Sequence, residues 1–364
     1  MNRHILLVAG GSGGHIFPAI ALHFELRKRG WKTSFITDSR GFSFAKNTKD
    51  LAIFQIKSAS PSGKLSQKLK GVLSLSVGLI QAIALLRRLK PSLIIGFGGY
   101  ATIPSILGAA LLGYPSLVHE QNAVLGRANR LLARLVLKVA TSFTETFGVS
   151  PFRQQKLTFT GNPVRGEFLL LADHEPASPP SILVMGGSQG AEIFSDVVPQ
   201  AIMNLPNELR ENLFIYQQCR EKDLDRVREA YTNVGIKSEI TTFFGDVPGL
   251  MAKASLVISR AGASTLSELS AVGRAAILVP YPHASDDHQT ANALDFIRLG
   301  GGWIIQEKDF CVEALTSRLC NCFSSNSTLA EAGKKARQIG CPDATQRLAD
   351  LAVSIACSSP RQSI

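Results

Sequence analysis

Three times in this chain an apolar run of strand length breaks into a glycine-rich turn and restarts as a helical pattern. That recurrence limits the fold more than any other feature. The first instance is His4-Ile5-Leu6-Leu7-Val8-Ala9, then Gly10-Gly11-Ser12-Gly13-Gly14-His15-Ile16-Phe17-Pro18, then a helical stretch over 19–29. The second is Ser92-Leu93-Ile94-Ile95 into Gly96-Phe97-Gly98-Gly99-Tyr100 and an apolar helix from Pro104. The third is Ser181-Ile182-Leu183-Val184-Met185 into Gly186-Gly187-Ser188-Gln189-Gly190-Ala191. Strand, glycine turn and helix together offer backbone N–H groups and a positive helix end to a phosphate. The glycines supply the positive φ such a turn needs. The plainer reading is a tight connection whose His15 only caps or packs.

The second half repeats the logic of the first, so the chain reads as α/β, two Rossmann-like domains in tandem. Domain one is expected over 1–163 and domain two over 164–344. A terminal helix and tail over 345–364 are expected to pack back on domain one. The Pro-, Asp-, Glu- and Ser-rich stretch 172–180 reads as a linker. A basic helix is expected over 127–138. Residues 64–90 form one long helical pattern, with Leu65, Leu69, Val72, Leu79, Ile83 and Leu86 at helical spacing and cations at both ends. It is either a buried helix or a surface that lies on acidic lipid.

Charge separates the halves. The first 163 residues carry 21 Lys+Arg against 5 Asp+Glu, net +16; the rest carries 18 against 23, net −5. The first half is therefore expected to face an anion: nucleic acid, acidic lipid or a phosphorylated substrate. The six cysteines lie in the second half, and Cys320-x-Cys322 matches no common zinc or redox spacing. They read as reduced thiols of a cytosolic protein. The first apolar run is too short for a signal peptide, and no window reads as a membrane span.

Dinucleotide dehydrogenases need G-x-G-x-x-G, which neither the first nor the third loop satisfies. Glu268, just inside the helix that follows Ser259-Arg260-Ala261-Gly262-Ala263-Ser264-Thr265-Leu266-Ser267, can accept two ribose hydroxyls. Its plainer role is a first-turn acid favoured by the helix dipole. Arg165 and Arg260 can pair with a diphosphate. Asp223-Leu224-Asp225 has the D-x-D form of a metal holder, but at the start of a charged helix it reads as helix-start acids. No bound metal is expected.

Taken in order, GGSGGHIFP, FGGY, HEQN, GNPVR, GGSQGA, SRAGASTLSE and HASDDHQTANA resemble the MurG family over 3–350. That resemblance implies a GT-B fold and an inverting transfer. The sugar, N-acetylglucosamine, passes from UDP-N-acetylglucosamine to the muramyl O4 of undecaprenyl-diphosphate-linked muramyl-pentapeptide (lipid I), giving lipid II for peptidoglycan. It implies no cofactor, because the UDP-sugar is a substrate. Ser188, Gln189 and Gly190 would face the donor diphosphate, Phe244 the uracil and Glu268 the ribose. Residues 263–267 would supply backbone contacts, and Gln289 and Asn292 would hold the sugar. Ser12, Gly13, Gly14, Asn122 and Arg165 would reach the substrates from the first domain. His15 is the candidate general base, because imidazole titrates near neutrality; Glu120 is its rival. The resemblance also implies peripheral binding to the cytoplasmic face of the bacterial plasma membrane, with other cell-wall enzymes as possible partners.

Two departures from the family pattern stand out. Ala275 occupies a position where many relatives carry proline, and the long helix has neither Trp nor Phe over 65–86, so docking there rests on aliphatics and lysines. A UDP-N-acetylglucosamine 2-epimerase of the same fold is the enzymatic alternative, although it has no use for a basic, apolar first half. A nucleic-acid-binding protein is the other. It lacks an aromatic stacking platform in that half, so nucleic acid is not expected as a partner.

Overall fold

The computed structural model describes residues 3–59, 65–172, 174–187 and 190–358. Two units divide it: Met1–Arg165 with Pro342–Ile364, and Gly166–Cys341. The boundary falls after Arg165 rather than Pro163, since the Arg165 guanidinium lies 4.8 Å above the Phe17 ring. The chain returns to the first unit at Pro342, before the helix Ala344–Ser358. Leu348, Ala352 and Ile355 of that helix join Leu22 and Leu26 in one core cluster. Arg29 ties the contact at its edge by pairing with both Glu25 and Asp350.

Among the described residues the first unit holds seven parallel strands: β1 (His4–Val8), β2 (Lys32–Thr37), β3 (Ala52–Gln55), β4 (Leu93–Gly96), β5 (Ser116–Glu120), β6 (Lys138–Thr141) and β7 (Leu157–Phe159). Their order is β3-β2-β1-β4-β5-β6-β7, with Leu7 opposite both Phe35 and Ile95. The second unit holds β8 (Ser181–Met185), β9 (Phe214–Gln218), β10 (Lys237–Thr241), β11 (Leu256–Ser259), β12 (Ala276–Leu278) and β13 (Gly302–Ile304), ordered β10-β9-β8-β11-β12-β13. All its pairings are parallel as well. Every residue of β1 and β4 is buried, as expected of central parallel strands covered by helices on both faces. Both sheets reverse direction at one place, between β1 and β4 and between β8 and β11. Open α/β sheets bind ligands at that reversal, beyond the carboxyl ends of the strands.

Two local expectations change. The basic helix stops at Leu132, and residues 138–141 become β6, because Val139, Ala140 and Thr141 pair with both β5 and β7. The long helix, Leu65–Leu89, is neither wholly buried nor wholly exposed. Its segment Ser66–Leu89 is long and apolar enough to cross a membrane by length and composition, which the sequence reading did not expect. One side nevertheless packs into the unit. A Cβ on Gly78 would stand 2.1 Å from the Lys57 carbonyl oxygen, and Ala82 and Leu86 are fully buried. The other side leaves Leu69, Val72, Leu73, Val77 and Ile80 exposed.

Candidate functional site

In the first unit, the loops after β1 and β4 lock into each other. Gly10 N–H donates to the Gly98 carbonyl (3.1 Å), which also accepts from Thr102 Oγ1 (2.7 Å). Gly98 and Gly99 sit at φ +102° and +77°. A Cβ on Gly98 would come within 2.9 Å of the His15 ring, and one on Gly99 within 2.3 Å of the Gly10 carbonyl oxygen. Glycine is required at both positions, so that the imidazole can lie against bare backbone. Asp38, at the end of β2, steadies the loop from the other side. Its Oδ1 accepts from Gly11 N (3.2 Å) and Gly41 N (2.7 Å). Ser12 is the N-cap of the helix Gly13–Lys28, so Gly13, Gly14 and His15 form its first turn.

The His15 ring meets a chain of side chains rising from β5. His15 Nδ1 lies 3.0 Å from Gln121 Oε1. Gln121 Nε2 donates to the Phe97 carbonyl (2.9 Å) and to His119 Nδ1 (3.1 Å). His119 Nε2–H donates to the Gly161 carbonyl (3.0 Å). Both His119 and Gln121 are buried, and burial pushes the His119 ring down to about 4, so it is neutral at neutral pH.

Glu120 is engaged differently. Oε1 accepts from Asn122 N (3.0 Å) and Asn122 Nδ2 (3.2 Å); Oε2 accepts from Gly126 N (2.9 Å) and Asn129 Nδ2 (2.9 Å). At 2% exposure with four N–H donors, the carboxylate organises the turn over 120–129. A substrate hydroxyl would have to displace one of them.

In the second unit the corresponding reversal is built from amides and backbone. Gln289 Oε1 accepts from Ala261 N (3.2 Å) and Tyr281 N (2.9 Å), while Asn292 Nδ2 donates to the Ala261 carbonyl (3.1 Å). Both backbone groups of Ala261 are thereby fixed where β11 gives way to the helix Ala263–Val272. Gly262 caps that helix without a side chain, leaving its first turn to present backbone N–H groups beside Ser264 and Thr265. Leu266 is buried, and Ser267 Oγ turns back to the Ala263 carbonyl (3.0 Å). Glu268 lies beyond the first turn, which removes the helix-dipole explanation for it. Gly190, at φ +69°, closes the turn after β8, while Ser188 and Gln189 lie outside the described residues. The Phe244 ring is buried edge-on to Tyr216.

Two charged candidates have other partners. Arg260 donates through Nη1 to the Val279 and Pro280 carbonyls, pairs through Nη2 with Glu307, and lies over the Phe194 and Tyr281 rings. Asp223 is held below the usual carboxylate range by the Arg220 guanidinium (2.7 Å), whereas Asp225 is exposed and pairs with Arg228. The two acids point to separate ion pairs.

From sequence, His119 and Gln121 stand out only as members of the polar HEQN cluster at a strand's carboxyl end, with no role of their own, and Asp38 only as the end of the second strand. An acid immediately after the second strand was a usable signal for Asp38; nothing local distinguished Gln121 from its neighbours.

Comparison with known proteins matches residues 5–141 to the glycosyltransferase family 28 N-terminal domain and 181–351 to the family 28 C-terminal domain. A Paramagnetospirillum magneticum protein named UDP-N-acetylglucosamine--N-acetylmuramyl-(pentapeptide) pyrophosphoryl-undecaprenol N-acetylglucosamine transferase is 48% identical over 358 residues, 96% of each chain. A Rhodospirillum centenum protein of the same name is 44% identical over 97% of this chain and 94% of its own. The crystal structure of Acinetobacter baumannii MurG superposes with a TM-score of 0.74 at 32% identity, covering 96% of this chain and 99% of that one. With its two parallel-sheet domains, each reversing at a glycine loop, this chain has the GT-B fold and belongs to the MurG family of glycosyltransferases.

Proposed function

We infer that this chain transfers N-acetylglucosamine from UDP-N-acetylglucosamine to the muramyl O4 of lipid-linked muramyl-pentapeptide, making lipid II. The observation that carries the catalytic reading is His15, an imidazole held against Gly98 at the carboxyl ends of β1 and β4. In this reading His15 Nε2 takes the O4 proton as that oxygen attacks the anomeric carbon. UDP leaves from the opposite face, so one displacement inverts the α-linked donor to a β-linked product. The pinned Ala261 backbone and the first turn of the Ala263–Val272 helix suit a diphosphate that gains charge as it departs. His15 is preferred to Glu120 because the four donors on Glu120 already give that carboxylate a structural role.

The test follows labelled sugar from UDP-N-acetylglucosamine into a lipid I analogue, with wild type beside His15→Ala. The expected result is transfer by wild type and a loss of roughly a hundredfold in the variant. Unchanged transfer by His15→Ala would remove it as base. Conversion of the donor to free UDP and a 2-epimer would sink the transferase reading.

Peripheral docking on the cytoplasmic face of the plasma membrane completes the proposal. It is supported by the exposed Leu69, Val72, Leu73, Val77 and Ile80 beside Lys68, Lys70, Arg87 and Arg88. Co-sedimentation with phosphatidylglycerol vesicles should weaken with salt and be lost in Leu73→Glu/Ile80→Glu. Binding unaffected by both changes would rule this surface out.

A further inference from the structure

We propose that Gln121, seated on His119 and the Phe97 carbonyl, is a positioning residue that holds His15 in its Nδ1–H tautomer, so that Nε2 is the nitrogen that accepts a proton. The inference rests on the reading of His15 as base.

The Gly161 carbonyl can only accept, so His119 Nε2 carries the hydrogen at 3.0 Å. Neutral His119, whose ring burial keeps uncharged, is then an acceptor at Nδ1. The Gln121 amide meets that nitrogen at 3.1 Å, the Phe97 carbonyl at 2.9 Å and the His119 carbonyl at 3.3 Å. All three are acceptors, so the group facing them is the NH2. Turning the amide over would set its oxygen against two carbonyl oxygens and the His119 Nδ1 lone pair in a buried site, a costly arrangement. Oε1 therefore points to His15 and accepts from Nδ1 at 3.0 Å.

Two backbone carbonyls, Phe97 at the end of β4 and Gly161 after β7, thus set the proton position on a ring in the helix Gly13–Lys28. A histidine side chain in water prefers the opposite tautomer, with the hydrogen on Nε2. Holding the hydrogen on Nδ1 keeps the Nε2 lone pair as the basic site, and the same Nδ1–H···O bond survives when Nε2 is protonated. Serine hydrolases use a carboxylate for this task; here a neutral amide fixes the tautomer without adding a charge.

The experiment records long-range 1H–15N correlation spectra of protein labelled at the histidine nitrogens, with His15 assigned by its absence in His15→Gln. Neutral His15 is expected with a protonated Nδ1 and a pyridine-type Nε2 in wild type. In Gln121→Leu it is expected to revert toward Nε2–H, with kcat lower by about tenfold to a hundredfold and the KM for UDP-N-acetylglucosamine within about twofold. Wild-type His15 found as Nε2–H would overturn the proposal without reference to any variant. So would an unchanged tautomer or unchanged kcat in a folded Gln121→Leu. Failure of the base reading shows separately, as full activity of His15→Ala, because the spectra report the tautomer whatever the rate.

Discussion

The two units share a strand order and a glycine loop at the point of reversal, yet they fill that point with opposite chemistry. In the first, bare glycine backbone makes room for an imidazole, and a buried neutral relay of Gln121 and His119 stands behind it. In the second, two amides, Gln289 and Asn292, fix the backbone of Ala261 at the mouth of a helix. One arrangement presents a side chain that can move a proton; the other presents N–H groups that can hold an anion. The same topology places both, and the side chains delivered to the reversal set the difference. The charge balance follows the division, with +16 on the first 163 residues and −5 on the remainder.

The sharpest way to break this comparison is a methyl group in each glycine loop. Gly99→Ala puts a Cβ 2.3 Å from the Gly10 oxygen at φ +77°, so the loop that seats His15 must move. Transfer is expected to fall at least about a hundredfold, with a marked drop in melting temperature. Gly187→Ala shares the strained φ, +84°, but meets nothing within 4 Å. It should cost only about 1 kcal/mol of stability. Equal losses in the two variants would show that the loops do not differ as described.

Acid should separate the units next. Burial is the main cause lowering His4, His23 and His119, all in the first unit. A ring that titrates at about 4 when folded and 6.5 when unfolded binds fewer protons folded between those values. Its neutral-state stability is therefore complete above about pH 6.5 and declines as pH falls toward 4, by roughly 3 kcal/mol for His119 alone. In the second unit Glu192 and Asp223 are carboxylates held down chiefly by hydrogen bonds from Arg220. Their contribution is present above their unfolded pKa values near 4 and is lost only as pH falls further, toward about 2 for Glu192. The chain has two tryptophans, Trp31 in the first unit and Trp303 in the second, so Trp303→Phe and Trp31→Phe proteins report one unit each. Melting followed by fluorescence from pH 7 to 4.5 should fall more for Trp31. A parallel fall would remove the buried histidines as its cause.

The smallest expected effect is in the second unit's amides. Gln289→Ala or Asn292→Ala frees one side of Ala261, and the KM for UDP-N-acetylglucosamine should rise about tenfold with kcat less affected. A loss in kcat with KM unchanged would move these residues to the chemical step.

The sequence alone determined the sheet class, the three glycine loops, the long half-apolar helix and the position of His15. All of these are local: strand runs, helical spacing and the need for positive φ are written in adjacent residues. Only the tertiary structure decided that the helix after Arg127 yields to β6, that the expected return to the first unit begins at Pro342 rather than at residue 345, and that Arg260 faces Glu307. It alone joined His15 to Gln121 across 106 residues, and His119 to Gly161 across 42. A hydrogen bond between distant positions leaves no period or spacing in the chain, because its partners meet only after the sheet has brought β1, β4 and β5 side by side.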